Sequence, residues 1–465
     1  MKTKAEKVLV IGLDAAPPEL VFEKFRDELP NLRKMMQNGV YARMESSHPP
    51  ITIPAWMVMA TGKSMGKLGL YGFRHRKPGT YNDMWIASSL SVKEKTVWDI
   101  LGENGKKVIV VGVPPTYPPK PVNGCLISCF ITPSTEKDYT YPRQLKNEIE
   151  NLVGEYIIDV VFRTEERDRL LKQLYEMTEK RFKVIEYLMT NKPWDFLMFV
   201  EIGVDRVQHA FWKFFDRNHH LYTPGNKYEN VIRDYYKFID EKIGDLLGHI
   251  DNKTVVIVVS DHGAKRMKGA FCINEWLIKK GYLVLKKKPE KVISLEKAEV
   301  DWSKTKAWGW GGYHARIFIN VKGREPQGVI PPEEYESFRK KLAEELKSIR
   351  GSNGEEWNTK VYTPEELYPN GKGDYPDLTV YFDDLSWRSA GTIGHNTLYL
   401  PENDTGPDDA VHSHHGIFIF YDPQRKIGKK IGTISILDIA PTILKVMGLP
   451  IPSDMEGKPI KEVFL

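Results

Sequence analysis

The stretch Ile232 to Gly263, IRDYYKFIDEKIGDLLGHIDNKTVVIVVSDHG, decides the fold. Ile232, Tyr235, Ile239, Ile243, Leu246 and Ile250 recur at spacings of three and four, the apolar stripe of an amphipathic helix. The β-branched run Thr254 to Val259 follows. It is apolar along both faces, as a central strand covered on two sides must be. SDHG then closes the strand, putting Asp261 and His262 at its terminus, and Gly263 permits a tight turn after them.

The same helix-then-strand grammar recurs elsewhere. Leu170, Leu174, Met177, Val184 and Leu188 form a helical stripe ahead of a strand at Phe196 to Val200. Further strands are read at Val8 to Leu13, Lys107 to Val111 and Gly416 to Phe420. Such alternation predicts an α/β fold: a central, mostly parallel sheet flanked by helices on both faces. Ligands gather at the carboxyl ends of strands in these sheets, and Asp14, Asp205 and Asp261 each fall a few residues past a strand end. Segments 131–165, 264–315 and 384–412 interrupt the pattern. None has the composition of a free linker, so we expect one domain over 1–465 carrying three lid-like insertions.

Bulk properties narrow the class. With 465 residues and 41 % hydrophobic content the chain can bury a large core, which excludes global disorder. The 67 basic and 62 acidic residues nearly balance, leaving +5, and no nucleic-acid partner is evident. Cys125, Cys129 and Cys272 are too few and too irregular for a disulfide framework. In CLISCF the first two would share a strand face as buried small hydrophobes. The start, MKTKAEK before VLVIGL, is too short in its apolar run for a signal segment, and no stretch approaches the roughly 18 apolar residues of a membrane span. The expectation is a cytoplasmic, soluble protein without a membrane partner, monomer or homodimer by the ordinary frequency of such states.

The polar residues carry the chemistry. In TIPAWMVMATG, Pro54 fits the first turn of a helix running to about Ala60, so Thr52 sits at or just before its cap. Free amides and the positive dipole end favour a phosphate there; alone, such a threonine merely caps. Asp205 and His209 are one helical turn apart in DRVQH and can face one ion. Asp14 follows its strand as Asp261 does, although an Asp there often satisfies only turn amides. His412, His414 and His415 crowd DDAVHSHHG, and spacing alone leaves all three open. Hard oxygen and imidazole ligands with a hydroxyl nucleophile are what a two-metal phosphoryl-transfer site needs.

Taken in order, these motifs resemble the alkaline phosphatase superfamily, and within it the type I phosphodiesterase and nucleotide pyrophosphatase branch. The predicted phosphohydrolase or phosphomutase group of that branch is the nearest resemblance. It runs from VIGLDAAPP to DIAPTIL at Asp438 to Leu444, matching least in the insertions. The resemblance implies one metal held by Asp14, Asp261, His262 and the Thr52 oxygen, and a second by Asp205, His209 and a late histidine. His412 fits the family spacing of three residues before a strand-opening glycine, here Gly416. It also implies a covalent phospho-threonine on Thr52 and two divalent metals. An Asp/His donor set without thiolate suits zinc, with manganese as the other choice. The expected activity is metal-dependent hydrolysis of a phosphodiester or phosphomonoester bond in a small phosphorylated substrate.

One position departs from the pattern. Where nucleotide pyrophosphatases carry an Asn that holds a phosphoryl oxygen, TGKSMGKLGLYGF places Phe73. Lys63 is the nearest replacement, and Tyr313 and His314 of AWGWGGYHAR are candidates to reach the substrate from a lid. The competing readings are a phosphomutase or phosphotransferase on the same site and a non-catalytic metal-binding scaffold. A sulfatase is disfavoured because TIPAW lacks its C/S-x-P-x-R context. A dinucleotide-binding dehydrogenase is disfavoured because GLDAAPP lacks G-x-G-x-x-G.

Overall fold

The computed structural model describes residues 5–465. Its centre is a ten-stranded sheet. Five parallel strands form the middle, in the order Thr254–Val259, Lys7–Leu13, Phe196–Glu201, Val108–Val111 and Gly124–Ile127. His415–Tyr421 runs antiparallel beside Thr254–Val259 and pairs in turn with Val40–Glu45. The sheet is thus mostly parallel at its core, and each strand read from sequence is present within a residue or two.

Both faces are covered, which is why these strands are apolar throughout. Alternation along Lys7–Leu13 sends Leu9, Ile11 and Leu13 to one core and Val8 and Val10 to the other. Helices Arg167–Asn191, Gly203–Phe215 and Val231–Leu247 pack on the first face. Helices Thr52–Thr61, Val97–Glu103 and Ile439–Val446 pack on the second. Both helical stripes of the sequence are therefore found, although Ile250 lies past the end of its helix.

Residues 263–413 leave the sheet and return to it. They open and close with a two-stranded ribbon, Gly263–Arg266 against Ala410–Ser413. Between its ends stands a second sheet, ordered Ala307–Trp310, Ala315–Ile319, Leu378–Tyr381, Lys360–Tyr362 and antiparallel throughout. It has its own core around Trp308, Ile317, Leu342 and Val380. Cys125 lies in a strand but Cys129 falls beyond that strand's end, so they do not share a strand face; all three cysteines are free and buried. No helix among the described residues is long and apolar enough to cross a membrane.

Candidate active site

The carboxyl ends of the parallel strands converge on two adjoining clusters. Asp14, Asp261 and His262 offer ligand atoms that all lie within 4.8 Å of one another, and Asp205, His209 and His412 do the same. All six side chains are buried. The ribbon explains how residues so distant in sequence meet: its register sets Ala264 opposite His412, so His412 comes beside His262 with ring centroids 3.8 Å apart. Gly263 is needed for this approach rather than for a turn. A Cβ there would lie 2.3 Å from the His415 carbonyl oxygen and 2.4 Å from Ser413 Oγ.

Asp14 sits in a backbone turn that is itself constrained. Ala15 has φ of 58°, a left-handed conformation that costs a non-glycine residue on the order of 1 kcal/mol or more. Its amide donates to Asp261 Oδ1 at 3.1 Å, its carbonyl accepts from Gln208 at 2.9 Å, and the Ala16 amide donates to Ser260 Oγ at 2.8 Å. Trp56 reaches Asp14 from the Thr52 helix, its Nε1 donating to Oδ2 at 2.7 Å. That contact requires Gly12, where a Cβ would lie 2.7 Å from the indole.

Thr52 is the first residue of a wholly buried helix, with Ile51 in the cap position. Its hydroxyl makes no capping bond; it lies 3.2 Å from His262 Nε2. The capping role that a threonine ordinarily takes is therefore absent, and the hydroxyl faces the first cluster.

Each histidine is oriented from behind. His262 Nδ1 lies 3.0 Å from the Gly263 carbonyl, His412 Nδ1 2.8 Å from the Pro50 carbonyl, and His209 Nδ1 2.7 Å from Asp408 Oδ1. As N–H donors to these acceptors, all three turn Nε2 inward, the second-sphere arrangement of metal-binding imidazoles. There they meet carboxylates: Asp261 Oδ2 is 3.1 Å from His262 Nε2 and Asp205 Oδ1 is 3.1 Å from His209 Nε2.

Three oxygens in this volume are buried: Asp14 Oδ1 has no hydrogen-bond partner among the described residues, and Asp205 Oδ1 and Asp261 Oδ2 face only the imidazole Nε2 atoms. Buried acceptors converging on lone pairs are costly unless a cation lies between them. The donor set therefore fits two hard or borderline divalent ions.

The electrostatics agree. Burial raises the Asp14 carboxyl well above its usual range, and repulsion from Asp261 and Asp205 adds to it. Burial likewise raises Asp261. For Asp205 burial opposes ionisation, but His209 and Arg206 overcome it and hold the carboxyl well below its usual range. Burial works against protonation of His262, yet Asp261 and Asp14 push it up to about 9. Protonation is thus favoured in the first cluster, whereas burial and the neighbouring His262 and His209 hold His412 well below the usual imidazole range.

Of the remaining residues singled out from sequence, Tyr313 is brought to the site. Its ring stacks on His412 at 3.8 Å and its hydroxyl lies 3.3 Å from His209 Nε2. His314 lines the adjoining cleft, while Lys63 is held elsewhere by Glu94, at 2.6 Å, and Asp454. His414 pairs with Asp384 at 2.9 Å and does not join either cluster. Sequence reasoning passed over Asp408, whose carboxylate holds His209, Arg163 and Arg388 together. Its position four residues before His412 in the same short run was the available signal. Arg206, which bonds Asp205 Oδ2 at 2.7 Å and clamps Asp159, directly follows Asp205 in sequence.

This fold with these clusters at its strand ends defines a phosphoric-ester hydrolase of the alkaline-phosphatase-like α/β class. Residues 8–408 match the type I phosphodiesterase / nucleotide pyrophosphatase family, and the chain belongs to it. Among solved structures it is similar to human ectonucleotide pyrophosphatase / phosphodiesterase 5, with 13 % identity, a TM-score of 0.57 and 96 % of each chain covered. The murine counterpart is similar at 14 % identity with a TM-score of 0.56, and an inactive murine variant in complex with AMP at 13 % and 0.56; each again covers 96 % of both chains. At such identity the likeness concerns the fold. Comparison with curated proteins by sequence finds no match.

Proposed function

We propose that the protein hydrolyses a phosphodiester or phosphomonoester bond of a small molecule, with Thr52 as nucleophile and two divalent metals as cofactors. Asp14, Asp261, His262 and Thr52 would hold one ion, and Asp205, His209 and His412 the other. Zinc suits the donors best and manganese second. The observation that carries this reading is the pair of buried ligand clusters, each within 4.8 Å, beside a helix-start hydroxyl 3.2 Å from His262. Bound there, the two ions would supply Lewis-acid polarisation of the ester and a lowered pKa for hydroxyl and water.

The protein's own residues do the rest. The start of the Thr52 helix presents Oγ with unpaired amides and the positive dipole end, which orient an anionic phosphoryl group. Oγ bonds to phosphorus as the ester P–O bond breaks, and the departing oxygen takes up the proton that Thr52 gives away. Water then adds to phosphorus, the Oγ–P bond breaks, and Thr52 regains its proton. Asp408 keeps His209 in the tautomer with Nε2 inward, and Trp56 fixes the rotation of the Asp14 carboxylate.

A transferase or mutase is the competing reading. Tyr313 favours it to the extent that a residue of the excursion lies directly on His412, where it can exclude water. Support for a threonine nucleophile comes also from the murine relative, whose inactive form is a threonine-to-alanine variant.

The test is turnover of bis-p-nitrophenyl phosphate and p-nitrophenyl phosphate by chelator-stripped protein refilled with zinc or manganese, with Thr52→Ala alongside. Metal-dependent turnover lost in the variant is expected, and the preferred ester separates diesterase from monoesterase. Transfer of phosphate to an added alcohol in preference to water would establish the transferase instead. Absence of bound metal would overturn both.

A further inference from the structure

A cleft of about 570 Å³ lies beside the site, lined by Ile51, which precedes Thr52, by Tyr313 and by five arginines: Arg74, Arg163, Arg206, Arg316 and Arg388. Three of these are neutralised. Arg163 and Arg388 pair with Asp408, and Arg206 with Asp159 and Asp205.

Arg74 and Arg316 form no ion pair with a carboxylate among the described residues; of the two acids along the cleft, Glu296 and Asp404, the latter accepts from Thr392. Arg316 is half-buried all the same. Its guanidinium lies over the Trp310 ring at 4.9 Å, and Nη1 donates to the Arg74 carbonyl at 2.6 Å, its one hydrogen bond among the described residues. A guanidinium carries five N–H donors, so most remain for a ligand.

The surroundings leave this charge uncompensated. Burial, and after it the Arg74 charge, lower Arg316 to about 10, with Tyr368 opposing, so it stays cationic at neutral pH. Burial, aided by Arg316, depresses His75 and His314 each to about 3, so both neighbours are neutral. A desolvated cation held in place by an aromatic ring and a carbonyl, but without a counter-charge, is built to receive an anion.

Building on the hydrolase reading, we infer that Arg316 and Arg74 form an anion subsite, and that the substrate is a phosphoric ester bearing a second anionic group, carboxylate or phosphate. Tyr313 touches the metal-ligand cluster and Arg316 follows three residues later, a chain span of at most about 10 Å. Tyr313 and Arg316 line the same cleft, so a small molecule lying in it can meet both. Arg316 acts here as a specificity residue and takes no part in the bond exchange.

The experiment compares carboxyalkyl p-nitrophenyl phosphates of graded arm length with alkyl p-nitrophenyl phosphates of matching length. Wild-type, Arg316→Gln and Arg316→Lys proteins are used, each loaded with metal. For the arm that reaches the subsite, wild type should prefer the carboxylate in kcat/KM by about 10- to 100-fold. Arg316→Gln should bring that ratio to about one, and Arg316→Lys should recover part of it. A merely structural role would lower both ester series together and leave the ratio intact. Calorimetric titration of the carboxyalkyl phosphate products into metal-free protein gives a reading independent of turnover, with the same order of variants expected. No carboxylate preference at any length, or a preference untouched in Arg316→Gln, would overturn the subsite while leaving the hydrolase standing. No turnover of any ester by metal-loaded wild type would overturn the hydrolase reading, and the subsite's role in substrate choice with it.

Discussion

The metal-ligand clusters and the arginine cleft lie side by side, yet they are built on opposite principles. The clusters sit at the ends of sheet strands, every ligand is buried, and carboxylate oxygens converge, which suits cations. The cleft is lined largely by excursions from the sheet, its side chains are partly open, and positive charge is in excess around Arg316 and Arg74. One region suits the reaction that the family shares. The other suits whatever distinguishes this substrate. On the proposed reading, catalysis belongs to the part of the fold that the sheet dictates, and selectivity to the part that it does not.

If that division holds, damage to the two regions should differ in kind as well as size. The largest effect belongs to Thr52→Ala, which should cut turnover at least about 1,000-fold in steady-state assays while the protein still binds metal. Loss of metal along with activity would show that Thr52 matters as a ligand first.

Asp408→Asn comes next, because it strikes the seam between the regions. It weakens the acceptor behind His209 and frees Arg163 and Arg388 together. Metal affinity measured by competition with a chromophoric chelator should fall by about 10- to 100-fold. An unchanged affinity would confine Asp408 to shaping the cleft.

Acid should loosen the packing around Arg316. His75 and His314 have folded pKa values of about 3, below their ordinary 6.5, so between those values the unfolded chain binds more protons. Their contribution is complete above about pH 6.5 and is lost as pH falls toward about 3, by up to roughly 1.4 kcal/mol per pH unit for each. Hydrogen exchange at Tyr71, whose amide donates to His75 Nε2 at 2.8 Å, should quicken over that range. Protection that is flat with pH would contradict it.

The smallest effect is expected from Trp56→Phe, which removes one hydrogen bond to an already crowded carboxylate. Metal-free protein should lose about 0.5–1.5 kcal/mol in urea denaturation, with less loss once metal takes over the orientation of Asp14.

What could be read in advance follows the same divide. Asp14, Asp205 and Asp261 were legible because each follows an apolar run, and a doubly covered strand forces its polar successor to the sheet's edge. His209 was legible from helical spacing. His412 needed the family resemblance to be chosen over its two neighbours, since the ribbon register that joins it to His262 is a long-range pairing without local signature. Lys63 was placed by proximity in sequence to Phe73, but the helix end carries it to Glu94 and Asp454 instead. Three of the cleft arginines carried no signal at all. Arg74, Arg316 and Arg388 come from short strands of separate small sheets, where no periodicity marks a functional side chain.

The central claim is that the converging carboxylates and imidazoles hold two cations side by side. Native mass spectrometry of chelator-stripped protein titrated with zinc tests it most directly. Two tightly held ions per chain are predicted for wild type, with about one in His209→Ala because that substitution opens a single cluster. A wild-type protein that holds no ion would contradict the account.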